Sequence, residues 1–267
     1  MPPYDRINAN INEILQSVST MHVTEYDWLV QNLHRVAEAD YQRRYKNYWR
    51  LNGAGLSHEF CQKYFQYLQE ANNNVLQLGI LVNQLYEVPI RPNKHALQFS
   101  FCTKLRHMLD RHLPIYDSNI RSFYNFRTPS YGIPVQQRIA RLVDFHQYLV
   151  TEYNRVLHDG LLSESIQAFK QRFNPQQFTD IKVIDSLIWA SSREKKAEDQ
   201  FGNLLTSIWP SVVKEKTSPI DRKEKREIIR PKVNEALTND PMVRTCVFRR
   251  ECQYAKTRLH QTSIEID

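Results

Sequence analysis

The sequence predicts an all-α protein, and three observations support this fold class. Over residues 8–86, apolar side chains recur at steps of three and four, which places them on one face of a helix. Before about residue 195, no segment shows the alternation of apolar and polar residues that is typical of a strand. The 267 residues include only 6 Gly, too few for a glycine-rich nucleotide-binding fold or for a barrel with many tight turns.

The helices can be placed in order along the chain. Four or five are predicted within residues 8–86, with a break at 52–55, where Ser57 is the expected N-cap of the next helix, and another break at 88–92. Beyond these, the predicted segments are a helix from residue 94 or 100 to 110, one that begins at 117 or 118, and helices over 135–157 and 178–190. Together they form a multi-helix globular domain over residues 1–194.

The composition changes near residue 195, so we predict a charged C-terminal extension or small subdomain over 195–267. This segment has 15 Lys and Arg against 11 Asp and Glu, which accounts for four of the seven net positive charges of the chain. Within it, residues 214–232 are expected to form a solvated linker or charged helix, and residues 243–249 a short strand.

Charge and cysteine content narrow the class of protein. The net charge of +7 favours a polyanionic partner such as nucleic acid. No run approaches the roughly 20 apolar residues that cross a bilayer, and the N-terminus lacks the apolar region of a secretory signal, so we expect a cytoplasmic protein without membrane contact. Cys61, Cys102, Cys246 and Cys252 have no metal-binding spacing, even when His260 is added. We therefore expect no disulfide framework, no metal and no organic cofactor.

Residues 97–120 carry the candidate chemistry. Lys104 lies in a helical turn beside Phe99 and Phe101, where burial would lower the pKa of its amine and free it to act as a nucleophile. Asp117, at the start of the next helix, would stay ionised and could stabilise positive charge on a sugar or deprotonate an attacking group. The simpler alternatives are that Lys104 extends from the core to solvent and that Asp117 is an ordinary helix N-cap.

These residues also carry a resemblance to a known family. The pattern Phe101-Cys102-Thr103-Lys104, followed by Pro114-Ile115-Tyr116-Asp117, resembles the helix-hairpin-helix DNA glycosylase superfamily, in particular its 8-oxoguanine glycosylase-like bacterial branch. The resemblance implies a glycosylase-like fold, a Schiff base between Lys104 and C1′ of the nucleotide, and Asp117 as the catalytic carboxylate. Where family hairpins carry Gly-x-Gly, this chain has Phe99-Ser100-Phe101. We expect Ser100 and Thr103 to contact DNA, and Phe99, Phe101 and Tyr116 to stack on the extruded base.

Two further segments combine aromatic and basic residues. In 41–50, Tyr45 and Trp49 are candidates for base stacking, because aromatic faces bind bases. The basic stripe of Arg43, Lys46 and Arg50 is suited to contact phosphates. In 121–127, Arg121 and Arg127 are placed beside aromatic residues in the same way and are further candidates for DNA contact. The 14 tyrosines of the chain suit half-exposed positions of this kind. The alternative is an aromatic stripe that faces the core and a solvated basic side.

The leading hypothesis is a DNA glycosylase-like enzyme. It would flip a damaged or modified base out of double-stranded DNA and break the N-glycosidic bond with Lys104 and Asp117, with abasic-site lyase activity by β-elimination. The target is either a damaged base in DNA repair or a modified phage base in antiviral defence. The oligomeric state stays open.

Two alternatives are kept. One is a non-enzymatic helical nucleic-acid-binding or adaptor protein in which Lys104 contacts phosphate. The other is a helical ribonuclease or toxin-like protein, which would require His95, His107 or His112 to meet Arg106 or Arg111. Asp110, His107 and His112 do not share one helix face, so we expect them to be solvated polar residues rather than metal ligands.

Overall fold

The computed structural model describes residues 3–70 and 77–192. Within them it has eleven α-helices and no strand beyond one isolated bridge between Arg91 and Lys94, so the all-α prediction is confirmed. The helices are α1 (Pro3–Ala9), α2 (Ile11–Ser17), α3 (Thr20–Gln31), α4 (Ala39–Trp49), α5 (His58–Glu70), α6 (Leu78–Tyr86), α7 (Phe99–Leu109), α8 (Ser118–Phe123), α9 (Val135–His158), α10 (Ser163–Phe173) and α11 (180–192). The linker, strand and charged extension predicted beyond residue 194 lie outside the described residues, as do Cys246, Cys252 and His260.

Most predicted helices have their expected limits. α9 covers the interval predicted at 135–157, α7 begins next to residue 100, and α8 begins at Ser118. α11 begins two residues later than predicted. Two short helices, α1 and α10, are absent from the prediction. In α10 the helical spacing rests on only three large apolar residues, Ile166, Phe169 and Phe173, within an otherwise polar segment.

Local signals explain two of the helix ends. Ser57 Oγ accepts the backbone N–H of Phe60 at 3.0 Å, which caps α5 as expected. α4 ends at Arg50, whose φ of 60° lies in the left-handed region. That conformation costs a residue other than glycine about 1–3 kcal/mol. The end of α4 therefore holds a strained residue next to the cavity described below.

Helix packing brings distant parts of the chain together. α3 packs on α4, α6 contacts both α7 and α9, and α1 contacts α2 and α10. These contacts surround a core that is rich in aromatic side chains, including Phe60, Phe145 and Phe169. α7, which carries Lys104, contributes seven buried residues and is thus a central helix rather than a surface one.

Tyrosine is a core residue in this protein. Six tyrosines are among the largest fully buried side chains: Tyr26, Tyr41, Tyr45, Tyr64, Tyr124 and Tyr153. Every one of their hydroxyl groups has a hydrogen-bond partner inside the protein. The expectation that tyrosines form half-exposed surfaces is wrong for these six, because a satisfied hydroxyl allows the whole ring to be buried.

Candidate active site

A cavity of about 670 Å³ opens between α3, α4, α7, α8 and α11. It is lined by both residues singled out from the sequence, Lys104 on α7 and Asp117 in front of α8. Lys182 and Asp185, on α11, also line it and were not predicted. The cavity lies within the range of about 300–1,000 Å³ that is usual for small-ligand pockets.

Lys104 lies against apolar and aromatic groups. Its Nζ donates a hydrogen bond to the backbone oxygen of Trp49 at 3.3 Å and lies 4.9 Å from the ring centroid of Phe101. The pKa of this amine is lowered to about 8, mainly by burial; the Asp117 carboxylate opposes the shift, and the positive charges of Lys182 and Arg50 contribute to it. The neutral form of this amine is therefore more populated near neutral pH than that of an exposed lysine.

Asp117 combines a structural role with a place in the cavity. Its Oδ1 accepts the backbone N–H groups of Asn119 at 2.8 Å and Ile120 at 2.9 Å, which caps α8. The N-cap interpretation is therefore confirmed. The two capping bonds hold the carboxylate in one orientation while its residue lines the cavity.

The 113–116 loop, which leads into Asp117, is held by four buried side chains from three helices. The bonds are His107 Nδ1 to Leu113 O at 2.7 Å, His146 Nε2 to Pro114 O at 2.8 Å, Ile115 N to Asp185 Oδ2 at 3.2 Å, and Tyr116 N to Thr103 Oγ1 at 3.0 Å. Burial lowers the pKa of His107 to about 3 and that of His146 to about 4, so both rings are neutral at physiological pH. Every residue of the loop is anchored, which fixes the position of Asp117.

Two predictions on α7 are corrected. His107 is fully buried rather than solvated, because both ring nitrogens are used inside the protein. Its Nδ1–H donates to Leu113 O, so Nε2 accepts the hydroxyl of Tyr26 at 2.7 Å. Thr103 is also fully buried, and its hydroxyl is bonded to the backbone of Tyr116. It therefore has no surface to offer to DNA.

Most of the predicted stacking residues fill the core. Phe99, Phe101, Tyr116 and Tyr45 are all buried and do not line the cavity. Phe99 and Tyr116 pack edge to face with ring centroids 5.1 Å apart, and their burial leaves no exposed surface on which a base could stack. The stacking prediction is wrong for these four. Trp49 is buried too, but its indole forms part of the cavity wall.

Only part of the predicted basic surface reaches the cavity. Arg50 and Ser100 line it. The other four basic residues lie outside it: Arg43 pairs with Asp40 at 2.5 Å, Lys46 lies 5.5 Å from the Phe65 ring centroid, Arg121 donates to Thr128 at 3.1 Å, and Arg127 is exposed. The aromatic side of α4 faces the core and its basic side faces solvent, as the alternative interpretation has it.

The pair of Lys182 and Asp185 is the main feature that sequence reasoning missed. Both residues are 4% exposed. Burial lowers the pKa of Lys182 and raises that of Asp185, and each charge partly offsets the shift of the other. Asp185 Oδ1 also accepts the hydroxyl of Tyr153 at 2.8 Å. A signal was present in the sequence, since the two charges stand in an otherwise apolar helical run at 181–190.

A stack of three rings forms another part of the cavity wall. His22 lies between Tyr48 and Trp189, with centroid distances of 4.6 and 5.6 Å and interplanar angles of 16° and 4°. Burial lowers the pKa of His22 to about 3, and the neighbouring Lys182 and Arg50 add to the effect. The imidazole is therefore neutral, and all three residues of the stack line the cavity.

The residues required for the ribonuclease alternative do not converge here. None of His95, His107, His112, Arg106 and Arg111 lines the cavity. In the part of the chain that the structure describes, no group of three or more His, Cys, Asp and Glu is placed to hold a metal ion. No helix among the same residues combines the length and apolar character needed to cross a membrane.

Comparison with models of protein families, with curated proteins and with solved structures finds no match to this chain.

Proposed function

We propose that the protein is a DNA glycosylase-like enzyme that removes a damaged or modified base from double-stranded DNA. The observation that carries the proposal is that the Lys104 amine, with its pKa lowered to about 8, lines the same cavity as the Asp117 carboxylate. A lowered pKa increases the fraction of neutral amine near neutral pH, and the neutral amine is the nucleophilic form. A carboxylate beside it suits a reaction in which positive charge develops on a sugar.

The proposed reaction begins when a nucleotide flipped out of the duplex enters the cavity. Lys104 Nζ forms a bond to C1′ while the bond from C1′ to the base breaks, and the electron pair of that bond leaves with the base. The Asp117 carboxylate stabilises the positive charge on the sugar. The sugar ring then opens as its oxygen takes up the proton that Lys104 Nζ loses, which leaves a Schiff base on Lys104. In the β-elimination that follows, a C2′ proton is lost and the bond from C3′ to the phosphate oxygen breaks, so the phosphate leaves and the strand is nicked. These steps invoke no metal and no organic cofactor.

The walls of the cavity suit a nucleobase. Trp189 lines the cavity, is partly exposed and stands at one end of the stack with His22 and Tyr48, so it is the aromatic residue best placed to stack on a base, an interaction that contributes about 1–3 kcal/mol. Both targets considered from the sequence are compatible with such a wall, a damaged base in DNA repair and a modified phage base in antiviral defence. Either would be met in the cytoplasm.

Borohydride trapping on duplex DNA with one abasic site tests the proposal. We expect the wild-type protein to form a covalent adduct, because borohydride reduces the Schiff base, and we expect Lys104→Gln to form none. Lys94→Gln is the matched control, since Lys94 is exposed and lies outside the cavity. An adduct with Lys104→Gln at the wild-type level would contradict the proposal. So would a wild-type protein that neither forms an adduct nor releases base from duplexes carrying 8-oxoguanine, hypoxanthine or 5-hydroxymethyluracil.

Arg50 tests whether the cavity faces the DNA. Arg50, which directly follows α4, is exposed and lines the cavity, whereas Arg43, exposed on α4, lies outside it. We expect Arg50→Gln to weaken DNA binding and to reduce the slope of log affinity against log salt concentration by about 1, because one phosphate contact is lost. Arg43→Gln should keep the wild-type slope. Equal slopes for the two variants in anisotropy titrations would place the DNA elsewhere.

A further inference from the structure

Lys182 is a second buried cation of the cavity, and the reaction above leaves it without a role. Four aromatic rings surround its Nζ, with centroid distances of 4.9 Å for Trp49, 5.0 Å for Tyr26, 5.8 Å for Tyr48 and 5.9 Å for Phe178. Within residues 3–70 and 77–192, no protein group accepts a hydrogen bond from this Nζ. An ammonium that lines a cavity without a protein acceptor has its N–H groups available to an acceptor on a ligand.

Burial lowers the pKa of Lys182 as it does that of Lys104, but aromatic and acidic groups around Lys182 support its charged form. Four ring faces near one ammonium stabilise its positive charge, whereas Lys104 lies near two. Asp185 follows one turn later on α11 and adds a negative charge, while its own oxygens are bonded to Tyr153 and to the backbone of Ile115. Asp185 thus supports the charge of Lys182 without a direct hydrogen bond to it.

The two amines are close enough to act on one nucleotide. Both Nζ atoms lie within 6 Å of the centroid of the same indole ring, Trp49, at 5.8 Å for Lys104 and 4.9 Å for Lys182. The two amines are therefore neighbours across one ring, and the charge of Lys182 acts on Lys104. Asp117 lines the same cavity, so a ligand bound there has all three groups around it.

We propose that Lys182 is a second catalytic residue, which donates the proton that the departing base takes up. This inference rests on the proposed glycosylase function. As the bond from C1′ to the base nitrogen breaks, the electron pair stays on that nitrogen, and a proton from Lys182 Nζ neutralises it. Lys182 is left as a neutral amine. The proton that Lys104 Nζ loses on its way to the Schiff base goes to the sugar ring oxygen as the ring opens, so Lys182 regains its own proton from solvent after the base has left.

The two lysines are assigned to different steps, so one experiment can separate their roles. Release of a base needs the acid, whereas Schiff-base formation on a preformed abasic site does not, because the base has already gone. We expect Lys182→Met to slow base release about 100-fold or more, the usual contribution of a general acid, and to keep wild-type trapping on abasic-site DNA. Lys182→Arg should behave like Lys182→Met, because a guanidinium retains the charge but does not give up its proton. The probe is a duplex with one 8-oxoguanine, hypoxanthine or 5-hydroxymethyluracil, whichever the wild type releases.

Each outcome of this experiment decides between the proposals. Wild-type base release by Lys182→Met overturns the acid role, and an equal loss of base release and trapping shows that Lys182 only shapes the cavity. Trapping that persists in Lys104→Gln and is lost in Lys182→Met would make Lys182 the nucleophile and overturn the assignment. A wild-type protein that neither forms an adduct nor releases base would instead reject the glycosylase function itself. Trapping by Lys182→Met also reports that the variant is folded.

Discussion

Asp117→Asn is expected to abolish base excision while the protein stays folded. Asparagine keeps a side-chain oxygen for the N–H groups of Asn119 and Ile120, so α8 retains its cap, and the free energy of unfolding should change by less than about 0.5 kcal/mol. The neutral amide cannot stabilise positive charge on the sugar. Loss of a preorganised electrostatic group of this kind lowers the rate by about 10²–10³-fold. Single-turnover base release and urea unfolding measure the two effects.

Asp117→Ala is the matched variant that separates the two roles of this residue. Alanine removes the carboxylate and also the capping bonds, so this variant should lose the same activity and in addition about 1 kcal/mol of stability. If Asp117→Asn releases base at the wild-type rate, Asp117 is only a helix cap, and the enzymatic role assigned to it is wrong.

Lys104→Met is expected to stabilise the protein and to inactivate it. The amine of Lys104 lies among Trp49, Phe101 and other apolar groups, and its lowered pKa shows that the folded protein disfavours its charge. Methionine has a similar length and no charge, so the substitution should raise the free energy of unfolding at pH 7 by about 2 kcal/mol. Functional sites commonly contain residues that are needed for activity but lower the stability of the fold. Thermal unfolding of the two proteins under the same conditions gives the comparison.

The pH dependence of that difference has a definite sign. The cost of the Lys104 charge is present in full below pH 8, where the amine is protonated in both the folded and the unfolded protein. From pH 8 to about pH 10.5 the folded protein has lost this proton and the unfolded chain retains it, so the cost falls as the pH rises. Besides burial, three charged groups shift this pKa: Asp117, Lys182 and Arg50. All three are present in the wild type and in Lys104→Met. The stability advantage of Lys104→Met should therefore shrink over this interval, and a constant advantage would argue against a buried charge at Lys104.

The helices were accessible from sequence because their signals are local. The apolar spacing of α9 and the capping residues Ser57 and Asp117 act within a few positions of the chain. α10 was missed because its apolar face is narrow, so tertiary packing rather than local pattern decides its structure.

The candidate site was accessible only in part, and for the same reason. Lys104 and Asp117 are close in sequence and carry recognisable contexts. Lys182 and Asp185 lie on α11, 65 and 68 positions after Asp117, and the packing of this helix brings them to the cavity. For the aromatic residues, the sequence predicted a binding role for side chains that the fold places in the core. A ring in a helix has the same spacing whether it lines a groove or the core, so only the fold assigns Tyr45 to the core and Trp49 to the cavity wall.

The anchoring of the 113–116 loop has a consequence for recognising related proteins. Thr103, His107, His146 and Asp185 hold the loop, yet they span more than 80 positions and belong to α7, α9 and α11. The signature of this architecture is therefore discontinuous: a threonine and a histidine one turn apart, a distant second histidine, and an aspartate three positions after a lysine in an apolar helix. Remote relatives should be sought by these spaced positions together, since any contiguous stretch contains too few of them to stand out.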